Sequence, residues 1–271
     1  MTKPKSDGAI ADTDNVKAQY RDSSKLERRA SIHQYGSASI GWFDWVAEQA
    51  QLADGAEILE VGCGPGWLWG APAFPSNLAL TLTDLSEGMA SEALARVRGL
   101  GRYRSVEGQP ADVAALPFAN DSFDAVLAGH MMYHVPDPGR ALDEMIRVLR
   151  PGGALIITTN GEDNMGEMYR LAHAAWNAPE VDPSGISFGL GAAVAALEAR
   201  LRSVSVATYR DILKVTDGEA IVGALTSYPP GEDASEAQLQ TLRNSIAKNM
   251  AEHGGVFPIN KHQGLVRGLK A

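Results

Sequence analysis

The sequence is short of cysteine, of long apolar runs and of net positive charge. Its 271 residues include one cysteine, Cys63, so an intrachain disulfide and a metal site built from cysteines are excluded. Cys63 lies inside a glycine-rich segment, with no basic side chain close to it in sequence. We interpret it as a small packing residue, and a catalytic thiol is the alternative.

No apolar stretch approaches the ~18–20 residues of a membrane span, and the amino-terminal residues lack the apolar core of a signal peptide. We therefore expect no membrane partner and a cytoplasmic location. Acidic residues outnumber basic ones by 33 to 24, and the formal charge of −9 argues against a nucleic-acid partner. A short basic cluster near the amino end is predicted to be a solvated helix face: Arg21, Lys25, Arg28 and Arg29.

Strand-like and helix-like segments alternate from residue 58 to residue 159. This alternation predicts an α/β fold with a doubly wound, mostly parallel sheet and helices on both faces. We predict strands at 58–61, 78–84, 103–107, 123–129 and 154–159, and helices at 86–97 and 138–149. A helix after Gly66 is expected to be shortened by Pro72 and Pro75.

The alternation changes after residue 160. Helices are predicted at 162–177, 189–202, 217–225 and 235–251, and the stretch at 179–185 is rich in proline and glycine. Extended segments are predicted at 204–209, 212–215 and 264–269.

The most informative segment is residues 58–66, where apolar strand residues lead into Gly62, Gly64 and Gly66. A loop without side chains at the carboxyl end of a parallel strand lets a cofactor approach the backbone closely. A dinucleotide-binding fingerprint needs glycine at position 67, where this chain has Trp67. Glu60, within the strand, also differs from that fingerprint, and a buried carboxylate there needs a hydrogen-bonding partner.

Two further acids follow the next two predicted strands. Asp84 stands where a carboxylate accepts hydrogen bonds from ribose hydroxyls, and a helix cap is the alternative, although Ser86 competes for that role. Asp112 is placed to accept from an exocyclic adenine amine, or it caps a turn. Glu60 either holds the glycine loop or reaches the ammonium group of a cofactor through water.

These segments resemble the class I S-adenosylmethionine-dependent methyltransferases. The matching pieces occur in family order and spacing over about residues 55–160, and they are Glu60–Gly66, Thr83–Ser86, Asp112–Phe118, Ser122–Val126 and Leu149–Gly153. The resemblance implies a seven-stranded sheet whose last strand is antiparallel. It also implies S-adenosyl-L-methionine as the cofactor.

The resemblance implies a set of cofactor-contacting residues as well. The methionyl end is expected over the glycine loop, the ribose on Asp84, and the adenine near Leu85, Asp112 and Val113. His130 is expected on the methionyl side. The complete set is Glu60, Gly62, Cys63, Gly64, Gly66, Asp84, Leu85, Met89, Asp112, Val113 and His130. One departure from the family is the bulky Trp67-Leu-Trp69, whose rings pack either a lid, the substrate or the core.

His130 and His134 are four residues apart, but no third ligand is evident, so we predict no metal. In similar proteins an amino-terminal helical segment covers the cofactor, so residues 1–53 are predicted to be a helical lid. Tyr20 and His33 in that segment are candidate catalytic residues together with His134. The alternatives are an exposed helix without a role and a structural histidine. The methyltransferase domain is predicted over 54–271, with helical acceptor covers around 161–202 and 217–251.

The resulting hypothesis is in-line transfer of a methyl group from S-adenosyl-L-methionine to a small-molecule acceptor, for which a specialised metabolite is one candidate. One alternative is a protein of this fold that binds the cofactor and catalyses a non-methylating rearrangement or acts as a scaffold. A second alternative, an NAD-dependent oxidoreductase, is disfavoured by Trp67, Glu60 and the Asp112 segment. The acceptor, the atom that is methylated and the oligomeric state stay open.

Overall fold

The computed structural model describes residue 11 and residues 19–271. The first part of the predicted lid segment therefore lies outside the described residues. The strands of the described residues are β1 Glu57–Val61, β2 Ala79–Asp84, β3 Ser105–Pro110, β4 Phe123–Gly129, β5 Leu149–Asn160, β6 Arg202–Val215 and β7 Phe257–Leu269.

These strands form one sheet in the order β3-β2-β1-β4-β5-β7-β6. The pairs among β1 to β5 are parallel, whereas β7 runs antiparallel to both β5 and β6. In this arrangement the carboxyl ends of β1, β2 and β4 meet at one edge of the sheet. The predicted α/β fold with an antiparallel last strand is confirmed.

The helices of the described residues are α1 Ser24–Ala30, α2 Trp42–Ala50, α3 Glu87–Gly99, α4 Pro138–Val148, α5 Gly166–Trp176, α6 Pro183–Phe188, α7 Leu190–Glu198, α8 Gly218–Leu225 and α9 Glu236–Glu252. Capping side chains begin several of them. Ser86 accepts from the amide of Met89 at the start of α3, and Asp137 accepts from the amide of Arg140 at the start of α4. None of these helices is long and apolar enough to cross a membrane.

Alternate residues of the central strands point into two separate cores, as the pleat of a strand requires. Ile58 faces a core shared with α2 and α3, whereas its neighbour Leu59 faces one shared with α4 and α7. A third apolar cluster joins α5, α8 and α9 to the ends of β6 and β7, where Leu213 and Ile259 are fully buried. Both faces of the parallel part of the sheet are therefore covered.

Several predicted elements differ from the structure. The predicted helix after Gly66 is only a 3-10 turn, Trp67–Gly70. The two extended segments at 204–215 form one strand, and β7 begins at Phe257 rather than at residue 264. The proline- and glycine-rich stretch contains the start of α6, because Pro183 occupies the first turn and Asp182 caps it. The proposed domain boundary at residue 53 stays a prediction.

Candidate functional site

The glycine loop after β1 adopts a backbone conformation that favours glycine. Gly62, Gly64 and Gly66 have φ angles of 64°, 52° and 75°, all in the left-handed region. Space is limited as well: a Cβ on Gly62 would lie 2.7 Å from the side chain of Met131. Gly62 and Gly64 therefore present bare backbone to the cavity beside the loop.

Asp84 fixes this loop from the end of β2. One of its carboxylate oxygens accepts from the amide of Gly64 at 2.9 Å, and the other accepts from the amide of Ser86 at 2.9 Å. Burial raises the pKa of Asp84, and the N–H groups that it accepts from act in the opposite direction. Ser86 is the helix cap, so Asp84 connects the loop to the start of α3 while its carboxylate still lines the cavity.

Glu60 is buried, with 3% of its surface exposed, and its carboxylate accepts from the indole N–H of Trp69 at 2.6 Å. Burial raises the pKa of Glu60 to about 8, the Trp69 hydrogen bond lowers it, and the charge of Asp84 raises it further. Trp69 is therefore a core residue, and it also packs on Phe74. Trp67, in contrast, lines the cavity.

The other predicted cofactor residues near this loop either line the cavity or lie behind its wall. Cys63 is buried at the cavity wall, and burial raises the pKa of its thiol, which favours the protonated form. Met89 is fully buried in α3, and Gly66 packs against the backbone of Ala93, so these two residues lie behind the cavity wall. Sequence spacing alone did not separate these groups.

Asp112 lies in the same cavity wall as Asp84. One of its carboxylate oxygens accepts from the amide of Ala114 at 2.8 Å, so it caps a short turn, Val113–Ala115. Its side chain is exposed, and Leu85 and Val113 line the cavity beside it. The two predicted roles of Asp112 are compatible, since a capping carboxylate retains free lone pairs.

His130 follows β4 with a φ angle of 52°. Its Nε2 is buried and has no hydrogen-bond partner among the described residues. Burial lowers the pKa of His130 to about 3, and the nearby charge of Lys261 contributes. A neutral imidazole with an unused nitrogen at a cavity wall is a group suited to bind a polar ligand.

Lys261 is a functional candidate that the sequence analysis missed. It is 4% exposed, and its ammonium group lies 5.5 Å from the ring of Trp42 and 5.3 Å from the ring of Tyr209. Burial lowers its pKa to about 8, against the opposing charge of Asp211. The spacing of residues in β7 could have indicated this burial. The buried face of β7 carries every second residue, namely Phe257, Ile259, Lys261 and Gln263.

His33 belongs to the same part of the wall as His130 and Lys261. Its ring is accessible from the cavity, yet protein atoms surround it, and this burial lowers its pKa to about 3. The charges of Lys261 and His130 act in the same direction. His33 is therefore neutral near physiological pH.

Tyr20 and His134 form a direct contact, with 2.9 Å between the phenol oxygen and Nε2. Arg29 donates to the same phenol oxygen at 3.0 Å. The bond from Arg29 uses a lone pair of the phenol oxygen, so the Tyr20 O–H is left to donate to His134. The predicted solvated face is correct for the exposed Arg28 but wrong for Arg29, which lines the cavity.

One cavity of about 1220 Å³ is bordered by the polar groups described above: Asp84, Asp112, His130, Lys261, His33, Tyr20, His134 and Arg29. Its far wall holds a polar network in which Asp182 accepts from Asn160 at 2.8 Å, from Asn164 at 3.0 Å and from the hydroxyl of Ser184 at 2.6 Å. Single-ligand pockets occupy about 300–1,000 Å³, so this cavity has room for two molecules. No metal-binding group of three or more His, Cys, Asp or Glu side chains occurs in the described residues.

Several known proteins resemble this chain in sequence or in fold. Residues 59–157 match the family described as "Methyltransferase domain". Methyltransferase GfsG of Streptomyces halstedii is 35% identical over 132 residues, which cover 47% of this chain and 46% of that protein. The chain therefore spans about half the length of this relative.

Two other similarities extend over more of the chain. Malonyl-[acyl-carrier protein] O-methyltransferase of Hahella chejuensis is 29% identical over 221 residues, which cover 77% of this chain and 75% of that protein. The crystal structure of the YcgJ protein from Bacillus subtilis matches with a TM-score of 0.60 and 19% identity over 84% of this chain and 97% of that one. At that identity, the structural match shows the shared fold.

Proposed function

This chain belongs to the class I S-adenosylmethionine-dependent methyltransferase family, and from that premise we propose that it methylates a small molecule. The observation that carries the proposal is the continuity of one cavity. It extends from the glycine loop and Asp84 to the Tyr20–His134 pair and the polar network around Asp182. A cofactor and an acceptor bound together need such a shared space.

The residues at the glycine-loop end fit S-adenosyl-L-methionine. Asp84 and Asp112 would hold the ribose and the adenine, and the bare backbone of Gly62–Gly64 would lie beside the methionyl end. The unpartnered Nε2 of His130 would meet a polar group there. When bound, this cofactor supplies an electrophilic methyl group on a sulfonium centre.

The chain itself has to orient the acceptor and exclude water. α1 contributes Leu26 and Arg29 to the cavity wall, and the side chain of Leu26 approaches Gly64 closely. α5 contributes Met168 and Trp176 to the same wall. Holding the acceptor in line with the cofactor in an enclosed site lowers the barrier to methyl transfer by on the order of 7–11 kcal/mol. A cover over the cavity serves this purpose.

The proposed proton acceptor is His134. A hydroxyl or ammonium acceptor loses a proton when it is methylated, and a base is needed if that proton is held near neutral pH. Because Nε2 accepts from the Tyr20 hydroxyl at 2.9 Å, the proton would reach His134 through Tyr20: the phenol oxygen takes the proton of the acceptor while the phenol's own proton moves to Nε2. His33 is the weaker candidate, since its pKa of about 3 makes it a poor base.

The proposal is tested by incubating the full chain with methyl-labelled S-adenosyl-L-methionine and a metabolite library that includes phenols, amines and carboxylic acids. The expected result is a labelled product together with S-adenosylhomocysteine in equal amount. The control is the same incubation with Asp84→Ala, which should form less product at a limiting cofactor concentration.

Two results would contradict the proposal. Calorimetry that detects NADH binding, but no binding of S-adenosyl-L-methionine, would indicate an oxidoreductase. Tight binding of S-adenosyl-L-methionine without a labelled product across the library would instead favour a non-methylating enzyme or a scaffold of this fold.

A further inference from the structure

Arg29 stands at the cavity wall, where none of the described residues offers it a carboxylate partner. Its Nε donates to the hydroxyl of Ser227 at 3.3 Å and its Nη1 to the phenol oxygen of Tyr20 at 3.0 Å. Its guanidinium also lies over the ring of Tyr228, 4.9 Å from the ring centre. No carboxylate among the described residues forms an ion pair with Arg29, whereas Lys25, on the same helix, pairs with Glu232 at 2.7 Å.

The other groups of this wall form no ion pair with Arg29 among the described residues. Burial raises the pKa of Tyr133 well above its usual value and that of Tyr228 to about 12, so both phenols stay neutral. Asp182 faces the same cavity, but its oxygens accept from Asn160, Asn164 and Ser184. A half-buried guanidinium among neutral rings is costly unless a ligand compensates it.

The unused donors of Arg29 define the shape of that ligand. A guanidinium carries five N–H groups, and the hydrogen bonds to Ser227 and Tyr20 use one on Nε and one on Nη1. The remaining N–H groups lie on Nη1 and Nη2, which form the end of the fork that binds two oxygens of one anion. We propose that Arg29 binds an oxyanion, a carboxylate or a phosphate, of the methyl acceptor.

The rest of this wall indicates an apolar body on the same acceptor. Tyr169 of α5 lies beside Tyr228, since each phenol affects the pKa of the other, and Arg29 stacks on Tyr228, so α5 adjoins the arginine. The same helix and its neighbours contribute apolar side chains to the cavity: Met165, Met168, Ala172, Trp176 and Leu225. An amphiphilic acid matches both features. This inference rests on the proposed function, because it assigns the second ligand of the shared cavity.

The test measures binding rather than turnover. The full chain is saturated with S-adenosylhomocysteine, and octanoate, octyl phosphate and the neutral octanamide are titrated by calorimetry. We expect at least one anion to bind more tightly than the amide, and comparison of the two anions separates carboxylate from phosphate. Arg29→Gln should weaken binding of the preferred anion by roughly ten- to hundredfold and leave the amide unchanged.

Two further variants make this result specific. Arg29→Lys keeps the charge but not the fork, so we expect a smaller loss than in Arg29→Gln. Arg28→Gln is the matched control, because Arg28 is the neighbouring exposed residue on α1 and lies against Gly223. We expect it to behave as wild type. A merely structural role of Arg29 would weaken all three probes alike.

Each contrary outcome has a defined meaning. If S-adenosylhomocysteine binds normally but no anion is preferred over octanamide, including the case in which no probe binds, the Arg29 assignment is wrong and the proposed function stands. If Arg29→Gln weakens S-adenosylhomocysteine as strongly as the anion, Arg29 belongs to the cofactor site and the inference fails. Failure of wild type to bind S-adenosylhomocysteine would count against the proposed function itself.

Discussion

Replacing Glu60 with glutamine should change how the stability of the protein depends on pH. Glu60 is buried, and its pKa is raised from 4.5 to about 8 in the folded state. Between these two values the folded protein holds a proton that the unfolded chain has lost. Raising the pH through this window therefore favours unfolding, and the stability contributed by the protonated Glu60 is lost progressively as pH approaches 8.

The size of the effect follows from the shift. Each pH unit inside the window costs about 1.4 kcal/mol, so wild type should lose about 2–3 kcal/mol between about pH 5 and pH 7 through this group. Glu60→Gln stays neutral, and its amide oxygen can still accept from Trp69. The variant should therefore gain stability relative to wild type by that amount over the same range.

The assay is urea unfolding of both proteins at several pH values without ligand, followed by circular dichroism. Glu57→Gln is the matched control, because Glu57 lies on the same strand, has a half-exposed side chain and pairs with Arg104 at 2.8 Å. A surface pair of this kind contributes at most about 1 kcal/mol, so its difference from wild type should stay nearly constant with pH. A constant difference for Glu60→Gln would show that Glu60 is ionised in the folded state and would refute the reasoning.

Three further perturbations test neighbouring parts of the site. Asp84→Ala should weaken S-adenosyl-L-methionine binding roughly ten- to hundredfold in calorimetry, and unchanged affinity would exclude Asp84 as the ribose ligand. Trp69→Phe leaves the Glu60 carboxyl without its N–H donor and should cost about 1–3 kcal/mol in urea unfolding, whereas Trp67→Phe at the cavity wall should cost less. Tyr20→Phe should lower kcat for an identified acceptor by about tenfold or more without changing cofactor affinity, and an unchanged kcat would remove Tyr20 from the reaction.

The cofactor end of the cavity was predictable because its signals are local. Gly62, Gly64 and Gly66 adopt a left-handed backbone, a conformation that favours glycine. Three glycines at alternate positions after an apolar strand therefore predict such a loop. Asp84 follows the next strand, and parallel strands bring their carboxyl ends to one edge. The local sequence pattern did not reveal that the side chain of Met89 in α3 is buried in the core, because its burial depends on which face of the helix meets the sheet.

The β6–β7 region was less predictable, since its residues do not alternate simply between apolar and polar. β6 exposes much of its length, including Val206 and Ile212, so its sequence lacks the apolar face of an ordinary covered strand. β7 carries Lys261 and Gln263 on its buried face, so its first half reads as an irregular polar segment. This segment is nevertheless a strand, because it pairs with β6 over most of its length.

The rest of the cavity wall depends on residues that are far apart in the chain and ordinary on their own. Arg29 belongs to a run of basic residues that has the composition of a solvated helix, and Lys261 lies in a polar stretch. Only the packing of the fold distinguishes these two cations from exposed ones. Arg29 contacts Tyr20 and Tyr228, and Lys261 contacts Trp42 and Tyr209. Because aromatic rings shield both charges from water without neutralising them, each cation retains its attraction for an anion. Acceptor selectivity in this chain should therefore follow the charge of the acceptor more closely than its size.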